Sequence, residues 1–75
     1  MRNIQANKLY KHFKGGLYET INIAKHTETG EMLVIYREVS KDTIYARPYD
    51  IFTSKVDKEK YPEVEQEYRF EDLGD

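Results

Sequence analysis

Two histidines and a neighbouring carboxylate are the first residues of this sequence that could do chemistry. His12 and His26 are its only histidines, and Glu28 follows the second. If the segments that hold them run side by side, these side chains could form a two-histidine, one-carboxylate metal site or an acid/base pair. The spacing lacks the fixed i, i+4 helical geometry of motifs such as HExxH. A hydrogen bond at a strand end or turn is the commoner role of such a histidine, and we predict no metal or cofactor.

A second candidate site combines arginine with tyrosine. Arg47 precedes a proline, and Tyr36 and Arg37 are adjacent in an earlier β-rich segment. Guanidinium groups bind anions, and tyrosine rings could form the walls of such a pocket. In the structural alternative, Tyr36 and Tyr45 pack as a cross-strand pair. Arg47 then forms a surface ion pair with one of the candidate carboxylates Glu19, Glu38 and Asp50.

The charges are distributed unevenly along the chain. Residues 1–26 hold five basic and one acidic side chain, whereas residues 50–75 hold four basic and nine acidic ones. A basic arm with neighbouring aromatic rings could attract phosphate or RNA; its cations are Arg2, Lys8, Lys11, Lys14 and Lys25. The isoelectric point of about 5.7 argues against a dedicated nucleic-acid binder. In the alternative, the acidic tail folds back and neutralises this arm.

Composition favours a small β domain. Ile, Val, Thr, Tyr and Phe make up a third of the 75 residues, and these side chains suit a pleated sheet. There is no cysteine, which excludes disulfides, thiolate metal sites and cysteine nucleophiles. No apolar run approaches the roughly 18 residues of a membrane span, and no signal-peptide stretch is visible. We therefore expect one cytoplasmic domain over residues 1–75.

Turn residues divide the chain into short β-rich segments. Strands are predicted over residues 9–13, 17–26, 31–39, 43–47, 53–56 and 67–71. Apolar residues in both phases of the second segment predict a bulge near Asn22, and the third segment is predicted to be central and covered on both faces. A proline start predicts a helical turn over residues 48–52, with Phe52 in the core. Residues 57–67 are expected to form a charged loop, and residues 72–75 a flexible terminus.

This order of elements predicts an all-β fold. The expected architecture is a small SH3-like antiparallel barrel of about five strands with one short 3₁₀ or helical turn, because a sandwich needs about 100 residues. An open meander is the alternative.

A motif runs from residue 10 to residue 48 of the chain. Its matching positions are 10–15 (YKHFKG), 17–19 (LYE), 24–26 (AKH), 28–29 (ET), 34 (V), 36–37 (YR) and 47–48 (RP). Over roughly residues 9–56 the chain resembles an uncharacterised bacterial family, domain of unknown function 1653. Thr20 stands where that family usually has valine, and the stretch between Val56 and Phe70 is longer and more acidic than usual. The resemblance implies a compact, mostly β bacterial domain and no established activity.

We therefore predict a small binding or adaptor module that uses an aromatic and arginine-lined face. Its candidate binding residues are His12, Tyr18, His26, Glu28, Tyr36, Arg37 and Arg47. The expected partner is a protein or a small anionic ligand, without a membrane, and the expected state is a monomer or weak homodimer. The alternative is a nucleotide- or nucleic-acid-related accessory, or an enzyme acting on a phosphorylated substrate. No nucleophile motif, phosphate loop or metal signature supports the enzyme, so it ranks second.

Overall fold

The computed structural model describes residues 3–74 and shows a single antiparallel sheet with one short helix. The elements are β1 (Leu9–His12), β2 (Leu17–Lys25), β3 (Met32–Glu38), β4 (Ile44–Pro48), α1 (Tyr49–Phe52) and β5 (Phe70–Asp72). The strand order is β4-β3-β2-β1-β5. The mainly β prediction is confirmed. Within residues 3–74 no ladder joins the edge strands β4 and β5, so the sheet is not closed into the predicted barrel.

Two glycines form the turn between β1 and β2, and a bulge interrupts β2, as the sequence predicts. Gly15 and Gly16, with φ of 100° and 90°, reverse the chain between β1 and β2. In β2 the register against β3 shifts between Thr20 and Asn22, which confirms the predicted bulge. The bulge changes which side chains of β2 face the core, and this accounts for the apolar residues in both phases.

The core lies on one side of the sheet and is built from aromatic rings. Phe52 is fully buried and stacks on Phe70, with 4.1 Å between ring centroids. It also meets Tyr10 and Tyr36 edge to face, so α1 fastens β5 to the middle of the sheet. The predicted core position of Phe52 is confirmed. Within the described chain no helix is long or apolar enough to cross a bilayer.

Two sequence predictions about strands are wrong. The strand β3 lies inside the sheet, but only Val34 and Tyr36 are buried, whereas Leu33 and Ile35 are half-buried. One face of β3 is therefore covered, because the helix and the terminal segments pack on the same side. Residues 53–56 form a single isolated bridge, between Lys55 and Tyr68, and no strand of the sheet.

The hydroxyl of Thr20 fixes the N-terminal segment to this core. Thr20 is fully buried, and its Oγ1 donates to the carbonyl of Gln5 (2.6 Å) and accepts from the N–H of Lys8 (3.1 Å). The Tyr49 hydroxyl in turn accepts from the N–H of Ile4 (2.8 Å), which is buried in the core. A threonine at position 20 therefore has a local purpose that a valine could not serve.

Candidate functional site

A cavity of about 410 Å³ opens between the β1–β2 turn, β4 and the segment that precedes β5. Its lining residues are His12, Phe13, Lys14, Arg47, Asp57, Lys60, Tyr61 and Arg69. Four of these side chains carry a fixed positive charge and one is a carboxylate, so the lining has a net charge of +3 when His12 is neutral. We call it the basic cavity.

Hydrogen bonds from β1 and its turn hold the C-terminal part of the cavity in place. The N–H of Phe13 donates to the carbonyl of Arg69 (3.0 Å), and Gln66 Nε2 donates to the carbonyl of Lys11 (3.0 Å). The N–H of Arg69 donates to the carbonyl of Ser54 (2.9 Å). Arg69 belongs to a C-terminal region whose net charge is negative. These hydrogen bonds position it beside His12.

Among residues 3–74, the cations of the basic cavity form no ion pair. The ion pairs among residues 3–74 are Lys8–Asp72, Arg37–Glu19, Lys41–Glu38 and Lys55–Glu67, and none includes a cavity residue. Asp57 is the single carboxylate of the lining, and its Oδ1 accepts from the N–H groups of Glu59 and Lys60. The Nε of Arg69 is buried and has no hydrogen-bond partner in the described chain. A buried donor of this kind ordinarily has a partner.

The pKa of His12 is affected by three of these positive charges. Its pKa is lowered from 6.5, first by burial and then by the positive charges of Arg47, Arg69 and Lys14. Its Nδ1 accepts from the N–H of Lys14 (3.1 Å), so the proton of the neutral ring lies on Nε2. His12 is therefore neutral at pH 7, and its Nε2–H is a donor.

Aromatic rings form one wall of the cavity. The rings of Phe13 and Tyr61 meet edge to face, with 5.0 Å between their centroids. The Nζ atoms of Lys14 and Lys60 lie 5.2 Å and 5.6 Å from the centre of the Tyr61 ring. A hydrogen bond from Lys14 is the main reason that the pKa of the Tyr61 phenol is lowered. The cavity thus combines planar rings with lysine ammonium groups.

Four of the sequence-predicted site residues come together at or beneath the cavity. His12 and Arg47 line it, and Arg47 Nε donates to the hydroxyl of Tyr36 (3.1 Å). The ring of Tyr18 lies 6.1 Å from His12 and 5.6 Å from Tyr36. Tyr36 is 4% exposed, so it supports Arg47 from the core and does not contribute to an exposed aromatic face. Arg47 makes no ion pair with the carboxylates considered above. The cross-strand pair of Tyr36 and Tyr45 from the same alternative is confirmed, and the two rings are stacked.

The other three predicted site residues lie elsewhere. His26 follows the opposite end of β2 from the His12 turn, roughly 30 Å away along the strand. Its Nδ1 accepts from the N–H groups of Glu28 and Thr29, so it closes the β2–β3 turn. Arg37 pairs with Glu19 at 2.9 Å. His12, His26 and Glu28 therefore do not converge, and residues 3–74 contain no group of three His, Asp or Glu side chains that could hold a metal ion.

Sequence reasoning missed the C-terminal half of the cavity. Lys60, Tyr61 and Arg69 belong to a region whose net charge is negative, and only the folding of that region against β1 reveals their role. The available signal was that basic side chains recur within the acidic stretch. The predicted neutralisation of the basic arm occurs at Lys8, which pairs with Asp72. Arg2, also placed in that arm, lies outside the described residues.

Comparison with known protein families assigns the chain to a family. The model of a family described as a protein of unknown function, DUF1653, matches residues 8–72. The chain belongs to this family. Every residue of the basic cavity lies within the matched region, including those from the C-terminal half of the chain. No curated protein and no solved structure gives a match.

Proposed function

We propose that this DUF1653 domain is a binding module that holds an anionic group of the phosphate type in its basic cavity. The observation that carries the proposal is that four cations meet at one cavity without an ion pair among residues 3–74. Placing like charges together in a partly desolvated cavity disfavours folding, and a bound anion removes that cost. A lining of this charge also concentrates anions from solution.

The two arginines are suited to an oxyanion in different ways. Arg47 is held by the Tyr36 hydroxyl and lies over the Phe70 ring, with 5.4 Å between its guanidinium carbon and the ring centre. Its position is fixed before any ligand arrives, which reduces the entropy lost on binding. Arg69 brings a buried Nε–H without a partner in the described chain. Guanidinium groups bind phosphate through charge-assisted hydrogen bonds, which contribute about 1.5–3 kcal/mol each.

We further infer that the sheet curls in the manner of a small SH3-like barrel. Three features support this: β5 follows a helical turn and returns to pair with β1, the bulge bends β2, and the Phe52–Phe70 stack brings the two ends of the sheet together. Such a curl would explain why β4 and the segment before β5 line the same cavity.

A titration with inorganic phosphate tests the binding proposal. In ¹⁵N-labelled protein followed by NMR, we expect chemical-shift changes that saturate and centre on Phe13, Lys14 and the Nε–H of Arg69. Arg69→Gln should weaken binding by about 10- to 150-fold, because it removes a charge-assisted hydrogen bond. Lys60→Gln, at an exposed cavity position, should also weaken binding while leaving the core unchanged.

Lys25→Gln is the matched control, since it removes the same charge at the far end of β2. It should change phosphate affinity less than about twofold, because an exposed charge at that distance is screened. Shifts that do not centre on the cavity, or an equal loss in Lys25→Gln and Arg69→Gln, would contradict the proposal.

A further inference from the structure

We infer that the ligand of the basic cavity is a free nucleoside 5′-monophosphate, with its phosphate among the arginines and its base against the Tyr61 ring. This inference rests on the proposed anion-binding function and adds the chemical class of the ligand. It joins two features of the cavity that a simple anion would not use together: the cations that form no ion pair among residues 3–74, and the aromatic wall.

The charge of the lining favours a phosphate monoester over a carboxylate. A monoester carries about −1.5 to −2 at neutral pH and presents three terminal oxygens, whereas a carboxylate carries −1 and presents two. The cavity offers a net charge of +3 and donors on Arg47, Arg69, Lys14, Lys60 and the Nε2 of His12. More of these donors find an acceptor when the third oxygen is present.

The aromatic wall supplies a surface for a planar group beside the phosphate. The ring of Tyr61 is contacted by the Nζ atoms of Lys14 and Lys60, and a base that stacks there displaces one of them. An exposed cation–π contact increases the equilibrium constant for its formation by about 2- to 5-fold. Stacking of a base on an aromatic side chain increases the binding constant by about 5- to 150-fold. A stacked base therefore replaces one lysine ammonium group on the Tyr61 ring, and the displaced ammonium group can bind the phosphate.

The size and surroundings of the cavity favour a free nucleotide over a nucleic-acid strand. Its volume of about 410 Å³ is in the lower part of the range for small-molecule sites. The segment that supplies Lys60 and Tyr61 also carries exposed carboxylates at Glu59, Glu63, Glu65 and Glu67. Further phosphates of a strand would meet these negative charges, whereas a mononucleotide ends inside the cavity.

Binding of adenosine 5′-monophosphate, inorganic phosphate and adenosine to the same protein tests the inference. We expect the nucleotide to bind about 5- to 150-fold more tightly than phosphate, and adenosine to bind more weakly than the nucleotide. If phosphate binds at the cavity and the nucleotide binds no more tightly, the nucleotide inference fails while the anion-binding function stands. If none of the three, nor any other anion, binds at the cavity, the proposed function itself fails.

Two substitutions of Tyr61 separate stacking from other effects. Tyr61→Leu should reduce the nucleotide affinity to that of phosphate without changing the phosphate affinity, and Tyr61→Phe should keep the nucleotide affinity within about twofold. Equal losses in both variants would show that the hydroxyl, not the ring, contacts the ligand, and would overturn the inference. A 5′-phosphorylated oligonucleotide should bind no more tightly than the mononucleotide. Tighter binding of the strand would overturn the choice of a free nucleotide.

Discussion

Replacing Thr20 by valine removes a hydroxyl from the interior at almost constant side-chain volume. The two main hydrogen bonds of this hydroxyl, to Gln5 and Lys8, contribute about 1 kcal/mol each, and the added methyl group returns about 0.8 kcal/mol of burial. We therefore expect Thr20→Val to lower the free energy of unfolding by about 1.2 kcal/mol. For a domain of this size, that corresponds to a fall in Tm of about 5–10 °C.

Thermal and urea unfolding followed by circular dichroism measure this effect. Thr43→Val is the matched control, because Thr43 is exposed and precedes β4. Its unfolding free energy should change by no more than about 0.5 kcal/mol. Amide exchange at Lys8 should also become faster in Thr20→Val, since its N–H loses its acceptor. A Thr20→Val protein as stable as the wild type would refute the role assigned to this hydroxyl.

Two further predictions concern the cavity and the core. The pKa of His12 is lower in the folded than in the unfolded chain, so the unfolded chain binds a proton at a higher pH. We therefore expect the free energy of unfolding to fall as the pH drops from about 6.5 towards the folded-state pKa. His12→Asn keeps an acceptor for the Lys14 N–H and should reduce this dependence of Tm on pH; an unchanged dependence would assign it to other groups. Phe52→Ala should cost about 3–5 kcal/mol in urea unfolding, because Phe52 is fully buried against Phe70, whereas a loss below 1 kcal/mol would contradict the packing described.

Local chemistry made much of the fold predictable. Two adjacent glycines can supply the positive φ values of the β1–β2 turn, and apolar residues in both phases of β2 revealed its bulge. Phe52 follows a proline that begins a helical turn, so its approach to the core was also visible in the sequence. Whether one or both faces of β3 are buried could not be predicted, because the same apolar run is compatible with either arrangement.

The candidate site was predictable only in part. Arg47 and His12 were identified by residue type, but type alone could not separate His12, in the cavity, from His26, which closes a turn with the same Nδ1 acceptor. Arg69 gave no local signal, since its importance depends on a backbone hydrogen bond to Phe13 that spans most of the chain.

The sequence by itself determined a small, mainly β domain of the DUF1653 family, with the β1–β2 turn, the bulge in β2 and the core position of Phe52. These features depend on backbone conformation and side-chain periodicity, which act over a few residues. Only the tertiary structure decided that cations from both halves of the chain share one cavity. Electrostatic interactions depend on distance in space, and folding brings Lys14 close to Tyr61 and Arg69 although they lie far apart in sequence.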